Sequence, residues 1–484
     1  MGVENSQPGQ LRGNAIGVFH IIFFVVAAAA PLTAIVGAAP FTFAVGNGAG
    51  APSAYLMAGL IYLVFSVGFT AMSRHIGSAG AFYVFIARGL NAPAGIAAGA
   101  IAILTYFAIQ IAVYALFGVV VAGLLQGAGI DLPWWTYTLA CAGIVYFCGQ
   151  RNVEFSGKIL GICLIGEIAV LMVLNLIILF KGGGPEGINF VSFEPSVALS
   201  TGLGASLLFA VASFIGFEAT AIFSEEAKDP KRTIPIATYA AVLLITLFYA
   251  FSAWCMILAY GPSGIRQAAE ANLADLFTTT AGNLGGWLLK DAMTFLLVTS
   301  LFACVLSFHS TISRYFFAGG REGLLPAALA RVNAAHASPY IAGRWQSIIV
   351  VALIALFAAI GLDPYTIIYS WMCAVSAIGI LVVQIMVAMS VIGFFYNDHR
   401  DTTLWHRMIS PLLSIAGLGA CLVLVIFNLP LLAGSDSLAV KMLPVLVVAT
   451  GVVGAAMAMR IKKSDPSKYS SLGRNFVGIA QPSP

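Results

Sequence analysis

The sequence predicts an all-α polytopic membrane protein, and three observations support this fold class. Hydrophobic residues make up 60% of the 484 positions and charged residues only 9%, a balance that soluble domains do not show. Apolar segments of about 20 residues, the length that an α-helix needs to cross a bilayer, recur along the whole chain. Lysine and arginine are distributed unevenly among the connecting segments. The lipid bilayer is therefore the predicted environment of the chain.

About twelve apolar runs are separated by charged or Gly/Pro-rich breaks. The predicted domains are a cytoplasmic N-terminal tail (1–15), a ten-helix core (16–396), two additional transmembrane helices (397–460) and a cytoplasmic C-terminal tail (461–484). Within this tail, 464–484 is polar and is predicted to be disordered. The transmembrane spans are predicted near 16–46, 52–73, 93–126, 133–150, 157–181, 199–224, 234–260, 286–317, 344–361, 366–396, 409–431 and 438–460.

The charge distribution predicts the orientation. With the N-terminus in the cytoplasm, 19 of the 23 Lys and Arg residues fall on the cytoplasmic side, as the positive-inside rule requires. We therefore expect both termini to be cytoplasmic and the protein to lie in a cell membrane of the inner or plasma type. The longest outside segment, 261–285, predicts one amphipathic helix. The four basic residues outside are Lys181, Arg266, Lys290 and Lys441.

The sequence lacks the residues that several classes of protein require for their function. The seven cysteines lie in or beside apolar spans, without a CxxC motif or a histidine pair at metal-ligand spacing, so we expect neither a metal nor a cofactor. A GxxxxGK[ST] phosphate-binding loop is absent from the sequence, which argues against a primary pump. No nucleophile and base are arranged as in an enzyme, and we expect no nucleic-acid partner.

Two spans are irregular. Span 1 contains Pro31 in AAAAPLTAIVGAAP, and proline removes a hydrogen bond from a helix, so we expect a break near 30–34. Span 6 carries Ser213 and Gly216 at the matching depth. Because each span opens a set of five, the two interruptions indicate a secondary transporter with an inverted repeat and a central site. An ordinary proline kink is the alternative for span 1.

Three motifs carry a resemblance to a known family. They are GSAGAFYVFIARGLN between spans 2 and 3, FIGFEATAIFSEEAKDPKRTIPIA after the span 6 break, and SRYFFAGGREGLLP at the end of span 8. The chain resembles the amino acid–polyamine–organocation permease superfamily, an amino-acid permease in type. The resemblance implies a LeuT-like 5+5 inverted repeat with broken helices 1 and 6. It also implies import of an amino acid by alternating access.

The resemblance implies that the substrate binds between the two breaks. The free N–H groups after the first break would bind its carboxylate, and the carbonyl groups that end the outer half of span 6 would accept from its ammonium group. Phe214 or Phe217 would cover it as a gate. The predicted substrate-binding residues are Ala30, Pro31, Leu32, Thr33, Ala34, Tyr106, Gln110, Ala212, Ser213, Phe214, Gly216 and Phe217.

The chain departs from the family pattern at two positions. Many relatives carry GxGxF in the first break, where this chain has APLTAIVG. Arginine/agmatine exchangers place a tryptophan where this chain has Ala212. A cationic side chain would lose that stacking partner, which argues against an arginine exchanger.

Four residues are candidates for proton coupling or gating: Glu167, Glu218, Ser307 and His309. Glu167 lies in span 5 where, by the resemblance, many relatives have a lysine. Burial favours the protonated form of a carboxyl group, so we predict that Glu167 carries the coupling proton; a structural role is the alternative. Glu218 is either a helix-terminus partner or a proton-sensitive gate. His309 is a packing group or forms a relay with Glu167, and Ser307 lies close to the same face.

Three alternatives stay open from the sequence. In a polyamine or other organic-cation carrier, Glu167 and Glu218 would be counter-ions of the substrate. An amino-acid exchanger of the same fold would not couple uptake to protons. A channel or sensor that uses this fold would not show saturable, stereoselective uptake. The sequence names neither the substrate nor the oligomeric state.

Overall fold

The computed structural model describes residues 17–76, 81–150, 157–218, 220, 227–333, 338–396, 398–399, 402–433 and 437–471. Within these ranges the secondary structure is helical, and no β-strand is formed. The predicted N-terminal tail lies outside the described residues, as do the segments 77–80 and 221–226 of two family motifs.

The helices follow the predicted spans closely. Short 3-10 turns lie at Gly48–Gly50, Val191–Phe193 and Ala327–Ala330, and π-helical turns lie at Pro364–Tyr369 and Trp405–Ile409. The α-helices are α1 (Val18–Ala29), α2 (Pro31–Ala44), α3 (Ala51–Ser73), α4 (Ala81–Gly89), α5 (Ala92–Gln126), α6 (Trp134–Gln150), α7 (Gly157–Phe180), α8 (Pro195–Ala198), α9 (Leu203–Ser213), α10 (Pro230–Tyr260), α11 (Ile265–Ala271), α12 (Leu276–Gly285), α13 (Trp287–Arg321), α14 (Tyr340–Ile360), α15 (Ser370–Phe395), α16 (Ser410–Phe427), α17 (Leu429–Ala433), α18 (Leu438–Ser464) and α19 (Pro466–Ser471).

The helix lengths make this an integral membrane protein. Among the described residues, nine helical segments are long and apolar enough to cross a membrane. Two shorter apolar helices, α2 and α9, belong to the irregular spans 1 and 6. The all-α membrane fold is thus confirmed, whereas the total of twelve spans stays a prediction.

Helices that hold corresponding positions in the two predicted sets of five contact each other. The contacts are α2 with α9, α3 with α10, α5 with α13, and α6 with α14. All residues of α2 and nearly all of α9 are buried. A helix that is apolar on every side needs neighbours on every side, so α2 and α9 form the centre of the molecule. The pairing is the one expected for an inverted repeat, which itself stays a prediction.

Buried hydroxyl groups in the long helices bond to the backbone of the preceding turn. The hydroxyls of Ser66, Thr105 and Thr246 donate to carbonyl groups four residues earlier, at 2.7, 2.8 and 2.6 Å. In hydrocarbon an unpaired polar group costs several kcal/mol. Side chains that satisfy themselves locally therefore allow these helices to pack without polar partners from other helices.

The segment predicted to lie outside, 261–285, differs from the prediction of one amphipathic helix. It forms two helices, α11 and α12, because the chain turns between Asn272 and Asp275. Arg266 of α11 donates from its guanidinium group to the carbonyl oxygens of Ala44 and Gly46. A cation at the C-terminal end of α2 satisfies carbonyl groups that the helix leaves unpaired.

A second contact joins two segments that the charge distribution predicts to lie outside. The backbone N–H of Ser263 donates to Oε1 of Glu186 at 3.0 Å, and its hydroxyl donates to the same oxygen. These bonds lower the pKa of the Glu186 carboxyl below its ordinary value, because they stabilise the ionised form.

The C-terminal segment also differs from the prediction, which made 464–484 disordered. Helix α18 continues to Ser464, and α19 follows after one residue. The ammonium group of Lys462 lies 5.4 Å from the centre of the Tyr469 ring. The first part of the predicted tail is therefore helical, and 472–484 lies outside the described residues.

Two glycines allow α4 and α15 to approach closely. A Cβ atom on Gly393 would lie 2.1 Å from the carbonyl oxygen of Gly89, and a Cβ atom on Gly89 would lie 2.0 Å from that of Ser390. Real atoms do not approach so closely, and the obstacles are backbone atoms. The helices would have to separate to accept either side chain.

We therefore expect Gly393→Ala to destabilise the protein by about 1–3 kcal/mol, the usual cost of overpacking. The measurement is the melting temperature of the detergent-solubilised protein. Gly419→Ala is the matched control, because a Cβ atom there has no neighbour within 4 Å. Equal melting temperatures for the two variants would contradict the close contact.

Candidate functional site

The first helix interruption is a single residue. Ala30 has a left-handed backbone (φ 43°, ψ 72°) between α1 and α2, a conformation that costs a non-glycine residue roughly 1–3 kcal/mol. Pro31, which follows, has no N–H group and disfavours the helical conformation of the residue before it. The break is therefore shorter than the predicted 30–34, because Leu32, Thr33 and Ala34 already belong to α2.

Glu167 of α7 lies at this interruption and is only 4% exposed. The Ser300 hydroxyl donates to its Oε2 at 2.8 Å and accepts from the Thr33 hydroxyl at 2.9 Å. The backbone N–H of Leu32 also bonds to the Glu167 carboxyl group. A carboxyl group thus occupies the N-terminal end of α2, where the helix leaves N–H groups unpaired.

The second interruption follows α9. The chain forms turns from Phe214 to Glu218, and Gly216 has a φ of 116°, which glycine adopts readily. The carbonyl oxygen of Phe214 accepts the backbone N–H of Phe217, whereas that of Ala212 accepts from both Phe214 and Ile215. A carbonyl oxygen has two lone pairs, so the Phe214 carbonyl retains capacity for a ligand.

Glu218 forms one hydrogen bond within its own turn and another to α5. Its Oε2 accepts from the backbone N–H of Gly216 at 3.0 Å, and its Oε1 accepts from the Tyr106 hydroxyl at 2.7 Å. The residue is 1% exposed. The ring of Tyr106 lies 5.6 Å from that of Tyr315. Glu218 therefore connects the second interruption to α5, whose Tyr106 in turn contacts α13.

A cavity of about 380 Å³ lies between the two interruptions. Four helical segments each contribute a pair of residues four positions apart, which share one face of a helix. Thr33, Ser213 and Tyr369 are the lining residues that carry a hydroxyl group, and none of the lining residues is charged. The four pairs are Ala34 and Ala38, Ile109 and Val113, Cys304 and Phe308, and Tyr369 and Cys373.

Aromatic rings lie beside the cavity. The ring of Phe41 stacks on that of Phe209 at 4.8 Å and lies 5.7 Å from that of Tyr369. The Tyr365 hydroxyl donates to the carbonyl oxygen of Gly37 in α2 at 2.9 Å. This bond connects the π-helical turn before α15 to the helix that starts at the first interruption.

His309 is part of a different network from Glu167. Its Nδ1 contacts Oε1 of Gln346, whose Nε2 donates to Oε1 of Gln110 at 2.5 Å. Gln110 in turn donates to the carbonyl oxygen of Val305 at 3.0 Å. His309 lies nine positions after Ser300 on α13, about 13.5 Å along the helix. The predicted Glu167–His309 relay is therefore not formed in this structure.

The structure brings only part of the predicted substrate site to the cavity. Thr33, Ala34, Ala212 and Ser213 line it. The remaining predicted residues do not line the cavity. The first break is short, and in the turn after α9 it is Ile215, rather than the adjacent Phe214 and Gly216, that lines the cavity. Those residues are Ala30, Pro31, Leu32, Tyr106, Gln110, Phe214, Gly216 and Phe217.

Phe214 and Phe217 in particular do not cover the cavity. Both are fully buried, and each ring lies 5.0 Å from that of Tyr62. Ser307 is half-buried on α13 and does not line the cavity. The prediction that Phe214 or Phe217 covers the substrate as a gate is not supported by this arrangement.

Several residues of the site were missed from the sequence. Ser300 lies seven positions before the predicted Ser307, so helical spacing could have identified it as a residue of the same face. Gln346 is a lone amide in an apolar run. Ala38, Ile109, Val113, Cys304 and Cys373 are apolar and carry no local signal. Among the described residues, no three of His, Cys, Asp and Glu form a group that could hold a metal ion.

The fold and the cavity define an integral membrane protein with a central uncharged site between two interrupted helices. A family model described as amino acid permease matches residues 20–457. The chain therefore belongs to the amino acid permease family, and the predicted family is confirmed.

Similar proteins differ in what their names say they carry. The chain is 25% identical over 261 residues to the methylthioribose transporter of Bacillus subtilis (strain 168), covering 54% of this chain and 53% of that protein, about half its length. It is 23% identical over 365 residues to the low-affinity putrescine importer PlaP of Escherichia coli (strain K12), covering 73% and 75%. It is 23% identical over 344 residues to the branched-chain amino acid permease BcaP of Lactococcus lactis subsp. cremoris (strain MG1363), covering 64% and 69%.

We expect Tyr106→Phe to weaken the contact between α5 and the second interruption. The variant removes the hydroxyl that donates to Glu218, and a buried acceptor left unpaired costs about 1–3 kcal/mol. A lower melting temperature in detergent is the expected result. Tyr137→Phe is the control, because its hydroxyl makes only long, exposed bonds to the backbone. A variant as stable as wild type would show that the bond contributes nothing.

Proposed function

We propose that this protein is a secondary active transporter that imports a neutral amino acid with an aliphatic side chain, coupled to protons, by alternating access. One observation carries the proposal: an uncharged cavity lies between two helix interruptions, with a buried carboxyl group beside the first. The proposed fold is the LeuT-like 5+5 inverted repeat with twelve spans. The proposed location is a cell membrane, with both termini in the cytoplasm.

The lining of the cavity supports a zwitterionic substrate with an apolar side chain. Backbone groups at the start of α2 and at the end of α9 offer hydrogen bonds of opposite polarity to a carboxylate and an ammonium group. Aliphatic and small side chains, including Ile109, Val113 and Ala38, surround the remaining space. The similarity to a branched-chain amino acid permease agrees with this substrate class.

The alternative substrate is a polyamine, which the similarity to a putrescine importer favours. A diamine carries two positive charges, and burying them requires acidic partners. Glu167 and Glu218 are not among the residues that line the cavity, and both already accept two hydrogen bonds. We therefore prefer the amino acid.

Glu167 is the residue that we propose to carry the coupling proton. No lysine or arginine of the described residues forms a salt bridge or hydrogen bond with it, so its ionised form would be a buried charge without a cation. Its hydrogen bonds run through Ser300 to Thr33, which lines the cavity. Protonation would change the bonds that join α7 and α13 to the start of α2.

The proton assignment predicts a selective defect in Glu167→Gln. In liposomes with an acidic exterior, we expect wild type to accumulate substrate and the variant to reach only equal concentrations inside and outside. Counterflow exchange, which needs no net proton movement, should remain. Glu186→Gln, at an exposed outer glutamate, should accumulate substrate like wild type. Undiminished accumulation by Glu167→Gln would refute the assignment.

The substrate class predicts the outcome of a competition experiment. Uptake in counterflow should be inhibited by leucine, isoleucine or valine at concentrations at least tenfold below those needed for putrescine or arginine, a difference of about 1.4 kcal/mol. Inhibition by putrescine alone would favour the polyamine carrier. Uptake without saturation or stereoselectivity would instead indicate a channel.

A further inference from the structure

A second cavity, of about 700 Å³, lies between α4, α5, α13 and α18. It shares no lining residue with the central cavity. Its walls include Ile96, Gly99 and Ile103 of α5, Leu325 after α13 and Met457 of α18, and Arg314 of α13 also lines it. We propose that this second cavity binds an acyl chain of an anionic phospholipid whose phosphate group pairs with Arg314.

The surroundings of the second cavity favour an acyl chain as its occupant. Helices α5, α13 and α18 all have the length and hydropathy of membrane spans. Met457, in the wall formed by α18, is 36% exposed, and the medium outside a membrane helix is hydrocarbon. Lipid chains are the molecules that this medium presents to an apolar opening. Burial of each methylene group there is favourable.

Two observations favour an anionic headgroup. Arg314 is exposed in the cavity wall, and a guanidinium group binds phosphate oxygens through paired hydrogen bonds. Glu322, the acidic residue of the lining, is buried and accepts a hydrogen bond from the Tyr83 hydroxyl. The carboxyl group of Glu322 is thus already engaged within the protein, which leaves Arg314 as the exposed charge of the lining.

The second cavity is also connected to the central site through an aromatic contact. Tyr315 belongs to its lining, and the Tyr315 ring lies 5.6 Å from that of Tyr106. The Tyr106 hydroxyl donates to Glu218 at the second interruption. A lipid chain packed against Tyr315 would stabilise this arrangement of α5 and α13. An effect of the lipid on transport rests on the proposed function, whereas its binding does not.

Substitution of Gly99 by a larger residue would fill the second cavity. A Cβ atom there would lie 3.6 Å from its nearest neighbour, Cβ of Tyr83, which is an ordinary contact. Gly99→Leu should therefore occupy the cavity without moving the backbone. Gly123→Leu, on the same helix but with nothing within 4 Å of its Cβ position, is the matched control. Arg344→Gln, at an exposed arginine of α14, is the control for charge.

The test is native mass spectrometry of the purified full chain with phosphatidylglycerol, phosphatidylcholine or oleate. We expect wild type to retain about fivefold more phosphatidylglycerol than phosphatidylcholine, the contribution of one basic residue at an anionic headgroup. Arg314→Gln should remove this preference, and Gly99→Leu should reduce retention of both lipids. The two controls should bind like wild type.

Three results would overturn the proposal: equal retention of both lipids by wild type, unchanged retention by Gly99→Leu, or stronger retention of oleate than of phosphatidylglycerol. The third would identify a free fatty acid as the occupant. Melting temperatures of all variants report whether they fold. If Gly99→Leu does not fold, the loss of headgroup preference in Arg314→Gln still decides the proposal. Lipid binding is measured without transport, so failure of the proposed function would leave this result intact.

Discussion

The interruption of two central helices in a medium without water is the constraint on which the rest of the structure depends. A helix satisfies its own backbone inside a bilayer, and a break exposes N–H and C=O groups that hydrocarbon cannot satisfy. At Ala30 and around Gly216 the protein must therefore supply partners. Each interruption received a buried carboxyl group that bonds to a backbone N–H: Glu167 at Leu32 and Glu218 at Gly216.

The two carboxyl groups differ in how they connect to the rest of the molecule. Glu218 bonds within its own turn and to Tyr106, so it joins the interruption to one neighbouring helix. Glu167 bonds through Ser300 to Thr33, the polar residue of α2 that faces the cavity. A change of protonation at Glu167 would therefore reach the substrate position through two hydroxyl groups. This difference is why the coupling proton is assigned to Glu167.

Both cavities are lined by few charged side chains. The central cavity has backbone polarity and three residues with hydroxyl groups but no charged side chain in its lining, which suits a neutral zwitterion. The second cavity has an apolar wall and one exposed arginine, which suits an amphiphile with an anionic head. Tyr106 and Tyr315 lie between the second interruption and the second cavity. The lipid environment and the site can thus act on the same pair of helices.

The sequence by itself determined the membrane fold, the family and the places where helices break, because hydrophobic length, proline and glycine act locally along the chain. It also identified Glu167 and Glu218, since a carboxylate in an apolar run is conspicuous wherever the run packs. It did not determine which neighbours face the cavity. The turn that follows α9 decides that Ile215, and not Phe214 or Phe217, faces inward. Ser300, Gln346 and the cavity pairs on α5, α13 and α15 meet their partners only through tertiary packing of different helices. Apolar side chains carry no sign of such contacts in the sequence.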